Sequence, residues 1–330
     1  MNILGIETSC DETATAIVEN GRWIRSSIIA SSLKEHARYG GIIPEIASRR
    51  HLELINLVTQ QALKKANLPL KSIGGIAVTA YPGLVGSLLV GVSFGRALSF
   101  ALKKPLAEVN HIHAHLYSNF LSKRKETVRD ASKKMRPGLP ALGLVVSGGH
   151  TSLFLMKNFT TFTPLGQTRD DAAGEAFDKV ARLLDLGFPG GPVIDRLARN
   201  GKNQDIRFPS ADLRNTNDFS FSGLKTSVLY HLRSYKNRKA IPIEKIAYAF
   251  QKSVVTSLVN KCLAVCHRKN LNTLLVGGGV AANSSLRKRL IQVCQKNKID
   301  VYFPALTYCM DNAAMVAGLG YHLLKKGGSH

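Results

Sequence analysis

Near its start the chain reads ILGIETSCDETATAIV (residues 3–18), an apolar run, a short polar turn and a second apolar run. This pattern predicts a β-hairpin. The same pattern returns at residues 141–156, which read ALGLVVSGGHTSLFLM. Two related hairpins predict an internal duplication, with a cleft between two lobes. The sequence therefore indicates an α/β protein with lobes at 1–138 and 139–330. Its final helix could pack back on the N-terminal lobe.

Strand and helix patterns alternate after the first hairpin. Strands are predicted at 23–31, 73–79 and 106–109, and helices at 44–65 and 84–102. Residues 72–95 carry no charge and are long enough to span a bilayer, but Pro82 and several glycines interrupt them. We interpret this stretch as a buried strand, a turn and a buried helix.

The charge balance points to an anionic partner. The chain has 45 Lys and Arg against 22 Asp and Glu, a net charge of +23. This excess favours nucleic acid as the partner and disfavours a small neutral molecule as the sole substrate. The alternative is that the charge only makes the solvated surface basic. Residues 122–138 concentrate basic side chains, and either a mobile loop or a contact with a phosphate backbone would explain them.

The five cysteines are odd in number and form no CxxC pair. This usage is typical of free thiols in a reducing compartment. The N-terminus runs directly into an apolar strand pattern and has no signal-peptide character. We therefore expect a cytoplasmic protein.

Two histidines suggest a metal site. His111 and His115 lie one turn apart if NHIHAHLY (110–117) is helical, and that spacing suits one metal ion. Half-buried histidines with satisfied hydrogen bonds are the alternative, and His113 points away from their face. Asp311, at the head of an apolar helix, is the best third ligand, although it could equally cap that helix.

Several small polar turns suit a phosphate or a nucleotide. The backbone of Gly148 and Gly149 can approach a ligand closely, and the glycine pair 190–191 lies between prolines. A triple glycine at 277–279 precedes a helix start, although it lacks the GxGxxG and P-loop orders. In the first hairpin turn, Asp11 or Glu12 could contact a metal or water. Each of these turns could also be an ordinary tight turn.

These motifs together resemble the TsaD-type tRNA threonylcarbamoyltransferases. The resemblance runs in order along essentially the whole chain, through IETSCDET (6–13), 39–51, NHIHAH (110–115), VVSGGH (145–150), 170–179, 190–192, 219–225, 277–283 and DNAAM (311–315). It implies a duplicated two-lobed fold of the ASKHA class, which is actin-like and sugar-kinase-like. It also implies transfer of threonylcarbamoyl from threonylcarbamoyl-AMP to N6 of the adenosine 3′ of the anticodon, in tRNAs that read ANN codons.

The resemblance also implies site residues, cofactors and partners. His111, His115 and Asp311 would bind one divalent iron or zinc ion, and magnesium could accompany the nucleotide. The adenylate substrate would be bound by Val145, Val146, Ser147, Gly148, Gly149, Asp178, Gly191, Asp195 and Asn283. Partner proteins of the TsaB and TsaE type are expected by likeness to bacterial relatives, or a homodimer by likeness to mitochondrial ones.

The chain departs from the family pattern in its basic connection, 122–138, which is longer than expected, and in Met310, where threonine is common. Three other functions compete with the transferase. A metal-dependent peptidase would need the glutamate of HExxH, and this chain has Ile112 there. An ASKHA small-molecule kinase would leave the two histidines and Asp311 unexplained. A non-catalytic tRNA-binding subunit would explain the charge alone.

Overall fold

The computed structural model describes residues 1–123, 136–201, 205–211, 213 and 215–327. Grouped by contacts, the chain forms two units. Unit 1 is Met1–Arg136 with Pro304–His330, and unit 2 is Pro137–Phe303. The lobes predicted from sequence were divided at residue 138, and the contacts assign the segment that begins at Pro304 to unit 1.

Each unit contains one five-stranded mixed sheet. The strands of unit 1 are β1 (Asn2–Glu7), β2 (Glu12–Glu19), β3 (Trp23–Ser31), β4 (Gly75–Tyr81) and β5 (Leu106–Asn110), in the order β3-β2-β1-β4-β5. The strands of unit 2 are β6 (Ala141–Val146), β7 (Thr151–Asn158), β8 (Thr161–Gln167), β9 (Thr273–Gly277) and β10 (Asp300–Tyr302), in the order β8-β7-β6-β9-β10.

The two sheets have the same topology. In each, the first strand pairs antiparallel with the second and parallel with the fourth. The predicted hairpins are β1-β2 and β6-β7, so the duplication inferred from sequence is present in the fold.

Ten helices lie within the described residues. They are α1 (Leu33–Ala37), α2 (Pro44–Ala66), α3 (Val85–Leu102), α4 (His111–Tyr117), α5 (Ala173–Leu183), α6 (Gly190–Ala198), α7 (Ser222–Arg233), α8 (Ile243–Lys269), α9 (Ser284–Lys296) and α10 (Ala313–Gly327). The predicted helices at 44–65 and 84–102 correspond closely to α2 and α3. Pro44 occupies the first turn of α2, where its missing N–H is no loss.

Strand β1 is the centre of unit 1, because helices cover both of its faces. Leu4 and Ile6 belong to a buried cluster with side chains of α2 and α3. Gly5 lies on the opposite face, since side chains alternate along a strand, and there it meets α10. The C-terminal helix is therefore part of the core of unit 1.

Helix α3 is less buried than the sequence predicts. Its buried residues are Ser87, Gly91 and Gly95, whereas Val85, Leu89 and Phe100 are 84%, 64% and 88% exposed. The prediction of a buried helix was wrong for the side that carries Val85, Leu89 and Phe100. An apolar stretch without charges does not show which of its sides the rest of the chain covers. Of the helices that the described residues form, α3 is the one long and apolar enough to cross a membrane, a test that core helices of soluble proteins also pass.

The contact of α10 with β1 should tolerate no added side chain. A Cβ at Gly5 would overlap the carbonyl oxygen of Ala313 and lie 2.8 Å from the Cβ of Ala317. We expect Gly5→Ala to lower the free energy of unfolding by about 1–3 kcal/mol, as overpacking typically does. Urea unfolding would measure the change. Gly327→Ala is the matched control at the end of α10, because a Cβ there meets nothing within 4 Å. Equal stability of the two variants would contradict this packing.

Candidate functional site

Helix α4 places two histidines on one buried face. Strand β5 ends at Asn110, whose side-chain oxygen accepts a hydrogen bond from the backbone N–H of His113 at 3.0 Å and so caps the helix. His111 and His115 are 5% and 1% exposed, and their rings meet edge to face with centroids 4.6 Å apart. The predicted one-turn spacing is therefore present.

Asp311 completes a group of three. The cap of α10 is its neighbour Asn312, whose side-chain oxygen accepts from the N–H of Met315 at 3.0 Å. The carboxylate of Asp311 instead faces the histidines, with Oδ1 at 3.1 Å from His115 Nε2 and 3.6 Å from His111 Nε2. Of the two roles that the sequence leaves open for Asp311, the geometry favours the ligand over the cap.

This group fits a divalent transition metal. The ligand atoms of His111, His115 and Asp311 all lie within 4.8 Å of one another. Both ring nitrogens of His115 are buried, and neither makes a well-aligned hydrogen bond among the described residues, although Nε2 lies 3.1 Å from Asp311 Oδ1. A bound ion would satisfy Nε2 and the facing carboxylate together. Two imidazoles and one carboxylate suit iron or zinc and leave positions open for substrate.

A buried carboxylate orients the first of these histidines. Glu7, at the end of β1, is 0% exposed, and its Oε2 lies 3.1 Å from His111 Nδ1. Its oxygens also accept from the Thr79 hydroxyl and the Ser9 N–H, each at 2.7 Å. With its Nδ1 proton donated to Glu7, His111 has Nε2 on the side of Asp311, where loss of the second proton would free its lone pair for a metal. The sequence places Glu7 in the motif at 6–13 but does not by itself indicate its role.

The charges of this cluster shift two pKa values in opposite directions. Burial alone would lower the pKa of His111, but the negative charges of Asp311 and Glu7 outweigh it and raise that pKa to about 9. Burial would raise the pKa of Glu7, but the charge and hydrogen bond of His111 outweigh it and lower that pKa. Without metal, a proton on His111 is therefore stabilised by two carboxylates.

The other acidic and histidine candidates lie nearby but outside the group of three. Burial, followed by the charges of Asp11 and Asp311, raises the pKa of Glu12 to about 10. Asp11 is buried, and its carbonyl oxygen accepts from Ser32. Burial lowers the pKa of His113 to about 4, as expected for a histidine packed away from the ligand face.

In unit 2, the predicted glycine turn follows β6. The backbone N–H of Ser147 donates to the carbonyl of His150 at 2.8 Å, which closes the turn. A Cβ on Gly148 or Gly149 would meet nothing within 4 Å, so the chain leaves open space beside both. Val145 and Val146 are buried in the strand that leads to this turn. The arrangement leaves room for a ligand against the backbone of this turn.

The triple glycine lies beside the same turn. Strands β6 and β9 are parallel neighbours, with Val145 opposite Gly277, so their carboxyl ends meet. Gly278 has φ of +92°, and a Cβ there would clash with the backbone of Val146. A positive φ and a close approach both require glycine here.

The polar residues predicted to bind the adenylate make structural hydrogen bonds. Asp178 accepts from the N–H of Gly190 at 2.7 Å, and Asp195 accepts from the hydroxyl of Ser284 at 2.9 Å. Burial raises the pKa of Asp178, although the N–H groups of Gly190 and Gly191 act against it. Asn283 caps α9, accepting from the N–H of Leu286 at 2.9 Å, and donates to Gln251 at 2.7 Å. These side chains anchor the starts of α6 and α9 around the glycine turns.

The fold belongs to the ASKHA class, as comparison with solved structures shows. HypF of T. kodakarensis superposes with a TM-score of 0.66 at 14% identity, covering 98% of this chain and 48% of that one. An activator of 2-hydroxyisocaproyl-CoA dehydratase from Clostridium difficile gives a TM-score of 0.54 at 17% identity, covering 99% and 97%. These neighbours share the fold predicted from sequence.

The chain belongs to the TsaD family, the tRNA N6-adenosine threonylcarbamoyltransferases, whose family model matches residues 24–318. A relative of that name from Caldicellulosiruptor saccharolyticus is 48% identical over 99% of this chain and 94% of its own length. One from Clostridium kluyveri is 49% identical with the same coverage. The chain is thus an enzyme of a transferase family, as the motifs predict.

Proton competition should make metal binding pH-dependent. The pKa of His111 is raised from an ordinary 6.5 to about 9 in the folded, metal-free protein. Protonation of His111 therefore contributes to the stability of the metal-free protein. This contribution is complete below pH 6.5 and is lost as the pH rises through 9. Metal binding must displace this proton, so zinc affinity should rise about tenfold per pH unit between pH 7 and 8, with release of about one proton per ion at pH 7. Competition with a fluorescent chelator would measure both. Affinity independent of pH over this range would contradict the assignment.

Glu7→Gln should separate the orienting role of Glu7 from a purely structural one. At pH 9, where proton competition is small, we expect zinc affinity to fall by about 10–100-fold. The pH dependence should also become shallower, because the amide no longer raises the pKa of His111. Glu108→Gln on β5 is the matched control, since Glu108 pairs with Arg96 at the surface. Unchanged zinc affinity in a folded Glu7→Gln protein, verified by thermal unfolding, would show that Glu7 does not support the ligand.

Proposed function

We propose that this chain transfers the threonylcarbamoyl group from threonylcarbamoyl-AMP to the N6 amine of the adenosine 3′ of the anticodon, in tRNAs that read ANN codons. Membership of the tRNA N6-adenosine threonylcarbamoyltransferase family supports the reaction. The observation that carries the proposal within the structure is the group formed by buried His111 and His115 with the half-buried Asp311.

The reaction is an acyl-type transfer. A bond forms between N6 of adenosine and the carbamoyl carbon, and the bond from that carbon to the phosphate oxygen breaks. AMP leaves with the electron pair, and one N6 proton passes to solvent. The amine is a weak nucleophile and the mixed anhydride is activated, so positioning the two is the main task of the protein.

Unit 1 contributes the ligands and their support. An iron or zinc ion held by His111, His115 and Asp311 would supply Lewis acidity toward the oxygens of the threonylcarbamoyl group. Glu7 and Ser9 both contact Nδ1 of His111, at 3.1 Å, and keep its ring in the ligand orientation. Both histidines are buried, which shields their rings from bulk water.

Unit 2 contributes the groups that would hold AMP, with magnesium as a further companion of the nucleotide. The open backbone at Gly148, Gly149 and Gly191 offers close approach to a phosphate, because a Cβ at each meets nothing within 4 Å. Asn283 starts α9, a 13-residue helix whose N-terminus favours an anion. Asp178 and Asp195 act by anchoring the flanking helix starts.

Protein partners of the TsaB and TsaE type, or a second copy of the chain, belong to the same proposal. The exposed apolar side chains of α3, which include Val85, Leu89 and Phe100, support a partner, because such a surface is unfavourable in water. A cytoplasmic location is proposed as well, and the five free cysteines agree with a reducing compartment. The competing peptidase and kinase functions have no support from the family match.

The transfer itself is the decisive measurement. Labelled threonylcarbamoyl-AMP and unmodified tRNA should yield labelled tRNA, with activity increased by the partner proteins. We expect His111→Ala, His115→Ala and Asp311→Ala each to reduce transfer by at least about 100-fold and to lower bound metal, because a catalytic ion supplies several kcal/mol of transition-state stabilisation.

His113→Gln is the matched control, since it changes a third histidine of α4 that lies outside the ligand group. It should retain both metal and transfer. Full transfer by a metal-free Asp311→Ala protein would remove the metal from the proposal. No transfer by the wild type, with any partner, would refute the function.

A further inference from the structure

Unit 2 contains a cavity of about 320 Å³ that the proposed reaction does not use. It lies between the segment 206–210 and helix α8. Arg207 and Lys252 line it, together with the hydroxyl residues Ser210, Ser253 and Thr256. Among the lining residues, all of them described, none carries a carboxylate. Two cations, with the hydroxyl of Thr256 as a further donor, suit an anion rather than a metal ion.

Hydrogen bonds fix the walls of this cavity in place. The hydroxyl of Ser253 donates to the carbonyl of Pro209. The hydroxyl of Ser257 accepts from the N–H of Ala211 at 2.9 Å and lies 3.0 Å from the hydroxyl of Ser210. The segment that carries Arg207 is therefore held on α8, where Lys252 lies. A site that is already formed loses little conformational entropy when it binds its ligand.

An aromatic and basic surface continues from the cavity along α7. Phe208, in the cavity wall, packs against His231 with ring centroids 5.7 Å apart, and His231 packs against Tyr235 at 5.5 Å. The guanidinium of Arg233 lies 5.7 Å from the ring of Tyr230, which is 63% exposed. Exposed Lys236 and Lys239 follow in sequence. Basic groups interleaved with aromatic rings are typical of a surface that binds nucleic acid.

We propose that this cavity binds a phosphodiester of the tRNA backbone, with Arg207 and Lys252 as the paired cations. The inference rests on the proposed function for the identity of the RNA. The net charge of +23 favours a polyanion over a small phosphate as the ligand. The basic and aromatic surface along α7 extends beyond the reach of a single phosphate group, so it suits an extended RNA. The site binds and orients the substrate and takes no part in the chemistry.

The test compares tRNA binding by wild type and by an Arg207→Ala/Lys252→Ala double variant across a series of salt concentrations. We expect the double variant to bind unmodified tRNA about tenfold more weakly at low salt. The slope of log K against log salt should become shallower by roughly 1–2, since two phosphate contacts are lost. Arg289→Ala/Lys296→Ala is the control, because it removes the same two charges from exposed positions of α9. Thermal unfolding would verify that both variants are folded.

Each result supports or overturns the site. Equal weakening in the control would mean that only the net charge matters, and unchanged binding in the Arg207/Lys252 variant would mean that the cavity does not contact tRNA. Titration with inorganic phosphate and with AMP identifies the phosphate source. If the variant loses affinity for these small anions but not for tRNA, the cavity is a small-phosphate site and the proposal is wrong.

Transfer kinetics with tRNA as the varied substrate separate this inference from the proposed function. The variant should have a higher KM for tRNA than the wild type, because its tRNA binding is impaired. A wild type without transfer activity would refute the proposed reaction, whereas the comparison of tRNA affinities would still decide whether the cavity binds RNA.

Discussion

The packing of α10 against β1 is the constraint on which the candidate metal centre depends. Asp311 and the two histidines lie far apart in sequence, and they meet because the chain returns to unit 1 at Pro304. Gly5 allows the backbone of α10 to approach the sheet, and Gly318 allows the same helix to approach the ring of Tyr117 on α4. The Tyr117 hydroxyl lies 2.8 Å from His322 Nε2 of α10 and donates to the carbonyl of Gly21. Small residues on β1 and α10 thus set the distance between the ligands.

Local pattern was sufficient for much of the fold. Strand β3 has the predicted bounds, α2 differs from its prediction by one residue, and both hairpins were recognised from alternating apolar runs and polar turns. These features depend on short-range preferences, which a sequence displays directly. The exposed face of α3 was missed, because burial depends on what the rest of the chain covers.

Local pattern likewise predicted part of the candidate site, and tertiary contacts determine the rest. The spacing of His111 and His115 was readable, since one helical turn decides it. The roles of Asp311 and Asn312 could not be predicted, because an acid and an amide at adjacent positions can each cap a helix. Only the structure shows that Asn312 caps α10. Glu7 was missed for a related reason. A carboxylate beside a polar turn reads as part of that turn, and its burial against His111 and Thr79 is a tertiary contact.

One duplicated topology carries two kinds of candidate site in this chain. In unit 1, the first strand ends in a buried carboxylate that orients a metal-type ligand. In unit 2, the corresponding strand ends in Ser147 and two glycines that leave open space beside the backbone. The sheets agree strand for strand, so the difference in chemistry comes from the few residues after the strand ends. The two strand ends differ in how closely they are tied to the core. Glu7 is fully buried and bonded to Thr79 and His111, whereas a Cβ on Gly148 or Gly149 would meet nothing within 4 Å.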